Sequence, residues 1–202
     1  MPLVVAPVSA ASLPTRWVGT GRASSCTSAR VVAAVKRGGI VRFRCGRSPV
    51  VIRMKATAKV YNDRPDVVID GDGKVTLDGG GERRIIYMNT CDPDLVWTTP
   101  HCNDQAHPTL TIRDITLRKG RARGSGTEDG GGALFVRGGR LSIVNSRFFG
   151  NRCASIGPDV GGGAIQVFDQ YRDRPVTVSR STFGGSGWKA NRCSNGGAIA
   201  SI

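Results

Sequence analysis

Apolar and polar positions alternate along much of this chain, and the alternation recurs. Leu110-Thr111-Ile112-Arg113-Asp114, Leu141-Ser142-Ile143-Val144-Asn145 and Val176-Thr177-Val178-Ser179-Arg180 each show a period of two, as a strand with one buried face does. These runs start 31 and then 35 residues apart. A second phrase moves with them: Gly131-Gly132-Ala133-Leu134, Gly162-Gly163-Ala164-Ile165 and Gly196-Gly197-Ala198-Ile199, spaced by 31 and then 34 residues. Two features travelling together mark an internal repeat, and a repeat of this length built from thin strands and glycine turns predicts stacked coils.

Positions within the repeat can be assigned physically. Leu110/Ile112, Leu141/Ile143 and Val176/Val178 are expected to face inward. Asp114 and Asn145 stand where a coil must bend, and both residue types tolerate a left-handed backbone; Arg180 departs from that pattern. Leu117, Phe148 and Phe183 return to the core, the glycine pairs form the next corner, and Leu134/Val136 and Ile165/Val167 resume the inward stripe. The fold class expected is all-β: a three-faced parallel β-helix, a solenoid, with a short N-terminal capping helix. A sandwich would need closely spaced hairpin turns and would show no repeat of this length.

Upstream, Thr27 or Ser28 can cap a helix over Ala29 to Arg37 that carries Val31, Val32 and Val35 on one face and stops at Gly38-Gly39. Strands are expected at Ile40 to Cys45, Val50 to Met54, Val67 to Asp70, Val75 to Asp78 and Ile85 to Met88, separated by Asn-Asp and Gly-rich turns. The domain organisation reads as residues 1–25 a clipped signal peptide and linker, 26–62 an N-terminal cap of helix plus first strands, and 63–202 the coils. Pro2 to Val8 is apolar and Val8-Ser9-Ala10 has the small residues of a cleavage site. The sequence stops at Ala200-Ser201-Ile202, inside an expected strand, so further C-terminal coils or another domain are expected beyond it.

Composition sharpens this picture. Glycine is abundant, at 28 residues, and aromatics are 6%, as suits turns and thin strands better than a helical globule. No apolar run is long enough for a transmembrane helix. The formal charge is +14, and eleven of the 29 basic residues fall in residues 1–60, which contain no Asp or Glu. A basic face concentrates anions, and the expected partner is an anionic polysaccharide or cell-envelope glycan. No motif for specific nucleic-acid binding accompanies the charge, and the aromatics are not interleaved with the basic residues. The six cysteines fall into three pairs, Cys26 with Cys45, Cys91 with Cys102 and Cys153 with Cys193; the last two lie in repeated Asn-Arg-Cys tripeptides that stacking would juxtapose. Three disulfides imply an oxidising compartment and an extracellular or cell-surface location.

Several segments resemble a known group. Val68-Ile69-Asp70-Gly71 followed by Val75-Thr76-Leu77-Asp78-Gly79-Gly80 resembles the first coils of right-handed parallel β-helix proteins of the pectin-lyase-like superfamily. Cys26 through Phe43-Arg44-Cys45-Gly46 is similar to the cap of secreted bacterial members. The Gly-Gly-Ala-Ile phrases with Phe148-x-x-Asn151 resemble the repeats of polymorphic outer-membrane proteins, which are adhesins; Phe183-x-x-Ser186 and Leu117-x-x-Gly120 lack the Asn. The resemblance covers residues 26–202 and implies a right-handed β-helix that hosts either binding or polysaccharide chemistry.

The candidate chemistry is sparse. Uronate lyases of that superfamily use calcium held by carboxylates, and Asp70-Gly71-Asp72-Gly73 has the start of a calcium loop, so calcium is the cofactor considered, with Asp70 and Asp72 its ligands. The loop 89–108 holds Trp97, His101 and His107, the candidate binding residues. Cys91, His101, Cys102 and His107 are also zinc-ligand types, but a disulfide-clipped loop explains them more simply. The glycine pairs are corners and not phosphate cradles, since no helix begins after them. The function expected is that of a secreted or cell-surface domain, non-catalytic, glycan-binding or adhesin-like. The alternative is a polysaccharide lyase or glycoside hydrolase acting on an acidic polysaccharide, which a carboxylate–Arg cluster on an outward sheet face would favour.

Overall fold

The computed structural model describes residues 12–96, 98–124, 126–168 and 170–201. The expected cleavage site at Val8-Ser9-Ala10 and the candidate binding residue Trp97 lie outside them. Among the described residues the strands are β1 (Thr15–Val18), β2 (Gly39–Phe43), β3 (Val50–Arg53), β4 (Ala58–Val60), β5 (Asp66–Asp78), β6 (Ile86–Asn89) and β7 (Thr109–Arg118), followed by β8 (Leu134–Arg137), β9 (Arg140–Val144), β10 (Arg147–Phe149), β11 (Ile165–Phe168), β12 (Thr177–Ser179), β13 (Thr182–Phe183) and β14 (Ile199–Ser201). Every pairing between them is parallel.

The strands form two sheets, and this overturns the expected architecture. The nine-stranded sheet runs β1-β2-β5-β7-β10-β13, with β3 on β5 and β9 and β12 joined beside β7; the five-stranded sheet runs β14-β11-β8-β6-β4. With about 15% helical and 39% strand content the chain is mixed α/β, not an all-β solenoid of three faces. The physical reason lies in the bends. β5 runs through Asp72 and Gly73, at φ 52° and 68°, and β7 through Asp114, at φ 53°. The left-handed residues turn the chain; the pairing lapses at the bend, where the register shifts between Asp70↔Arg113 and Val75↔Ile115, and then resumes, so the two arms of each strand stay in one sheet. Helical segments then occupy connections expected to be plain turns.

The repeat register is realised in these sheets. Val41, Ile69, Ile112 and Ile143 lie opposite one another across β2, β5, β7 and β9, all fully buried. Ile86, Leu134 and Ile165 do the same across β6, β8 and β11. Both inner faces contribute to one core. At the last rungs, Val178 and Ile199 are 41% and 38% exposed, because each has a paired strand on one side only; Val178 thus differs from its expected inward placement. Asn145 has φ 45° and donates from Nδ2 to Asp114 Oδ1 at 2.6 Å, so the bend residues also stack. Arg180 takes φ 49° at the same bend despite its long side chain.

The helix α1 (Ser28–Arg37) is capped by Thr27, whose hydroxyl accepts from the Arg30 N–H, and it ends at Gly38 with φ 67°. It buries Val31, Ala34 and Val35 against β1, β2 and β4. Residues expected as linker include β1, which pairs with β2 from Thr15↔Ile40 to Val18↔Phe43. The three disulfides are Cys26–Cys45, Cys91–Cys102 and Cys153–Cys193, with Cα separations of 5.7, 5.0 and 4.8 Å. No helix among the described residues is long and apolar enough to cross a membrane.

Candidate functional site

The site is built on the segment that follows β7 and β10. Asn151 is fully buried there. Its Oδ1 accepts from the Gly120 N–H at 2.8 Å, and its Nδ2 donates to the Leu117 carbonyl at 3.2 Å. Asn191 repeats the device one layer on, donating to the Phe148 carbonyl at 2.9 Å while its Oδ1 accepts from the Asn151 N–H at 2.9 Å. The Asn151 amide satisfies the Gly120 N–H at its corner, and the Asn191 amide adds a second donor to the Phe148 carbonyl, which also accepts from the Gly184 N–H at 2.8 Å. Asn191 therefore completes the motif that Phe183-x-x-Ser186 lacks. It stands eight residues after Phe183, where Asn151 stands three after Phe148.

The residue after each of these corners is arginine. Arg121, Arg152 and Arg192 are bridged in parallel register, Arg121↔Arg152 and Arg152↔Arg192. All three are exposed and line one cleft of about 760 Å³ with Asn191, Ser155 and Ile156. No ion pair or side-chain hydrogen bond joins any of the three to another described residue. Parallel neighbours at strand spacing stand about 4.8 Å apart. Like charges carried on neighbouring rungs repel one another, and more strongly beside a low-dielectric wall. An anion laid along the row relieves that repulsion and gains charge-assisted hydrogen bonds from planar guanidinium forks. The Cys153–Cys193 bridge lies next to two of the rungs in sequence, and the Cys153 N–H donates to the Arg192 carbonyl at 3.0 Å.

A smaller cleft of about 220 Å³ shares Arg121 and Arg152 with the first and continues to Lys119, Gly120, Gly150 and Trp188. The Trp188 side chain is 53% exposed, and the Lys119 ammonium sits 5.8 Å from its ring centroid.

The other candidates are placed elsewhere. Asp70 lies on the outward face of the nine-stranded sheet, between Arg42 and Arg113 in register. Its Oδ2 is 2.8 Å from Arg113 and 3.6 Å from Arg42, and its Oδ1 accepts from the Asp72 N–H at 3.2 Å. Asp72 pairs with Lys74 at 2.9 Å. The carboxylates expected to hold calcium are thus engaged by cationic side chains. No group of three or more His, Cys, Asp or Glu converges among the described residues. His101 and His107 are exposed on their loop, whose cysteines are tied to each other and not offered to zinc. That loop is anchored by buried Leu95, whose carbonyl accepts from the Asn62 N–H at 3.0 Å.

A third cleft, of about 310 Å³, lies on the outer face of the five-stranded sheet beside Lys59, Arg84, Tyr87, Asp92, Glu128 and Asp129. Arg84 donates to the Glu128, Gly130 and Gly131 carbonyls at 2.6, 2.7 and 3.2 Å and pins that loop down. Burial pulls its guanidinium below the ordinary arginine value, against the nearby Tyr87, Asp129 and Glu128. Burial also pushes the Tyr87 hydroxyl up to about 12, partly offset by a hydrogen bond from Asn89 Nδ2 at 2.9 Å. In the unfolded chain this phenol ionises near its ordinary value of 10, so above that pH the unfolded state binds fewer protons than the folded one. Stability is therefore expected to fall by about 1 kcal/mol between pH 10 and 11 on account of Tyr87. Urea unfolding of the wild type and Tyr87→Phe at pH 9.5 and 11 checks this; the variant should lose less stability over that interval.

No family model, curated protein or solved structure matches the chain. The chemistry of the site therefore rests on its own residues.

Proposed function

We propose that this protein is a secreted or cell-surface domain that binds an anionic glycan without transforming it. The observation that carries this reading is the row Arg121–Arg152–Arg192, three arginines in parallel register with no acidic partner among the described residues, lining an open cleft. The three disulfides fit an oxidising compartment. The chain's charge of +14 adds long-range attraction for a polyanion. Titration of the intact protein against polygalacturonate at low salt tests the reading. Binding is expected in the wild type and should weaken about a hundredfold in Arg152→Ala/Arg192→Ala, which takes away two charge-assisted hydrogen-bond donors.

A second reading, a lyase or hydrolase acting on an acidic polysaccharide, has one observation in its favour. Arg42, Asp70 and Arg113 form a carboxylate–Arg cluster on an outward sheet face, beside a cleft of about 320 Å³ lined by Trp17 and Asp72. Asp70 ranks below the arginine row because its oxygens are already shared between two guanidiniums and a backbone N–H. Unsaturated products from polygalacturonate and calcium, lost in Asp70→Ala, would reverse that order.

A further inference from the structure

Trp188 reaches the arginine row only because of the extra residues between Phe183 and Asn191. Gly184, Gly185 and Gly187 take φ of 82°, 155° and 60°, values that let the added segment leave the sheet and return. A helical turn over Gly187–Lys189 presents the indole, and the Gly150 N–H holds the segment by donating to the Lys189 carbonyl at 2.9 Å. The neighbouring floor lacks side chains: Gly80, Gly81, Gly120 and Gly150 line the same cleft. At Gly150 the backbone has φ 61°, and a Cβ would stand 2.5 Å from the Trp188 carbonyl oxygen, so no larger residue fits under the indole segment. A half-exposed indole beside a bare glycine floor gives an amphipathic ring a surface to lie against, and the Lys119 ammonium over the indole adds a cation beside it.

We infer that Trp188 and this glycine floor form a pyranose-stacking subsite joined end to end with the arginine row, so that the groove selects acidic saccharides over polyanions that contain no sugar ring. The inference rests on the anion-binding reading of that row and adds to it the chemical class of the ligand. The two clefts share Arg121 and Arg152, so one extended chain can place a ring against Trp188 and its acidic groups along the arginines. Phosphate and carboxylate satisfy the arginines equally; only a sugar ring uses the indole.

The test compares an oligogalacturonate with inorganic polyphosphate of equal charge count, titrated into the intact wild type, Trp188→Ala, Trp188→Phe and Arg152→Ala/Arg192→Ala. Trp188→Ala should bind the saccharide about tenfold more weakly and polyphosphate as the wild type does, with Trp188→Phe between. The arginine variant should lose both ligands. Equal effects of Trp188→Ala on the two ligands, or no effect on either, would overturn the sugar subsite while leaving the anion row standing. Failure of the wild type to bind either ligand would overturn both. Thermal melts of the variants establish that each is folded, and Trp188 lies on the surface, where its replacement leaves the core untouched.

Discussion

Asn151→Ala should lower the stability of this protein by about 2–4 kcal/mol, because it leaves the buried Gly120 N–H without its partner and removes the amide's bonds to the Leu117 carbonyl and Asn191 Oδ1. The amide is 0% exposed and serves the Gly120 N–H and the Leu117 carbonyl at once. Water cannot take its place without opening the corner between β7 and the residues that follow. A loss of this size in a domain of about 200 residues corresponds to a drop in Tm of about 10 °C. Asn151→Asp keeps the acceptor for Gly120 but sets a buried carboxylate against the Leu117 carbonyl and Asn191 Oδ1, and should cost at least as much. Since Asn151 also fixes the backbone that carries Arg152, folded Asn151→Ala should bind polygalacturonate more weakly than the wild type. Unchanged stability in a chemical melt would mean that the corner closes without the amide.

Removing the Cys153–Cys193 bridge has the second large effect. Its sequence separation of 40 closes the longest of the three loops, against 19 for Cys26–Cys45 and 11 for Cys91–Cys102. In the chain-entropy account a loop of that length is worth about 4 kcal/mol, and the shorter two about 3 kcal/mol each. Cys153→Ser/Cys193→Ser should therefore unfold at lower denaturant than either of the other paired replacements. The bridge also ties the layer of Arg152 to that of Arg192. If Cys26→Ser/Cys45→Ser proves the more destabilised, attachment of the N-terminal helix matters more to the core than loop closure.

The register of the strands is legible in the chain, and the number of faces is not. The interval between Leu110 and Leu141 sets one beside the other, as their pairing shows, and the inward stripe at Leu134/Val136 and Ile165/Val167 is buried as its alternation requires. Three faces follow only if each bend residue ends a sheet. The left-handed bend at Asp72-Gly73 or at Asp114 redirects a strand with only a local shift of register, so both arms stay in one sheet and two sheets result. Periodicity reports which residues face inward and is silent on whether adjoining arms share a sheet.

The candidate site shows the same division. The tripeptides Asn151-Arg152-Cys153 and Asn191-Arg192-Cys193 are visible in the chain, and their cysteines form the expected bridge. The arginine row is hidden because its third member, Arg121, follows a glycine instead of an asparagine. Gly120 replaces that asparagine because a Cβ there would collide with the Gly132 backbone. Trp188 stands apart from any pattern because it belongs to the added residues of one layer, and only folding brings it beside Lys119. Arg113 pairs with Asp70, its register partner 43 positions earlier in the chain.

The most direct test of the arginine row is the salt dependence of polygalacturonate binding, measured for the wild type and for Arg152→Ala/Arg192→Ala. An anion held by several guanidiniums displaces counterions, so log Kobs falls linearly with log[NaCl], and each guanidinium removed should lessen the slope by about one. The wild type is expected to show the steeper line, with a slope about two units greater than the double variant. Parallel lines of equal affinity would contradict the assignment of the row.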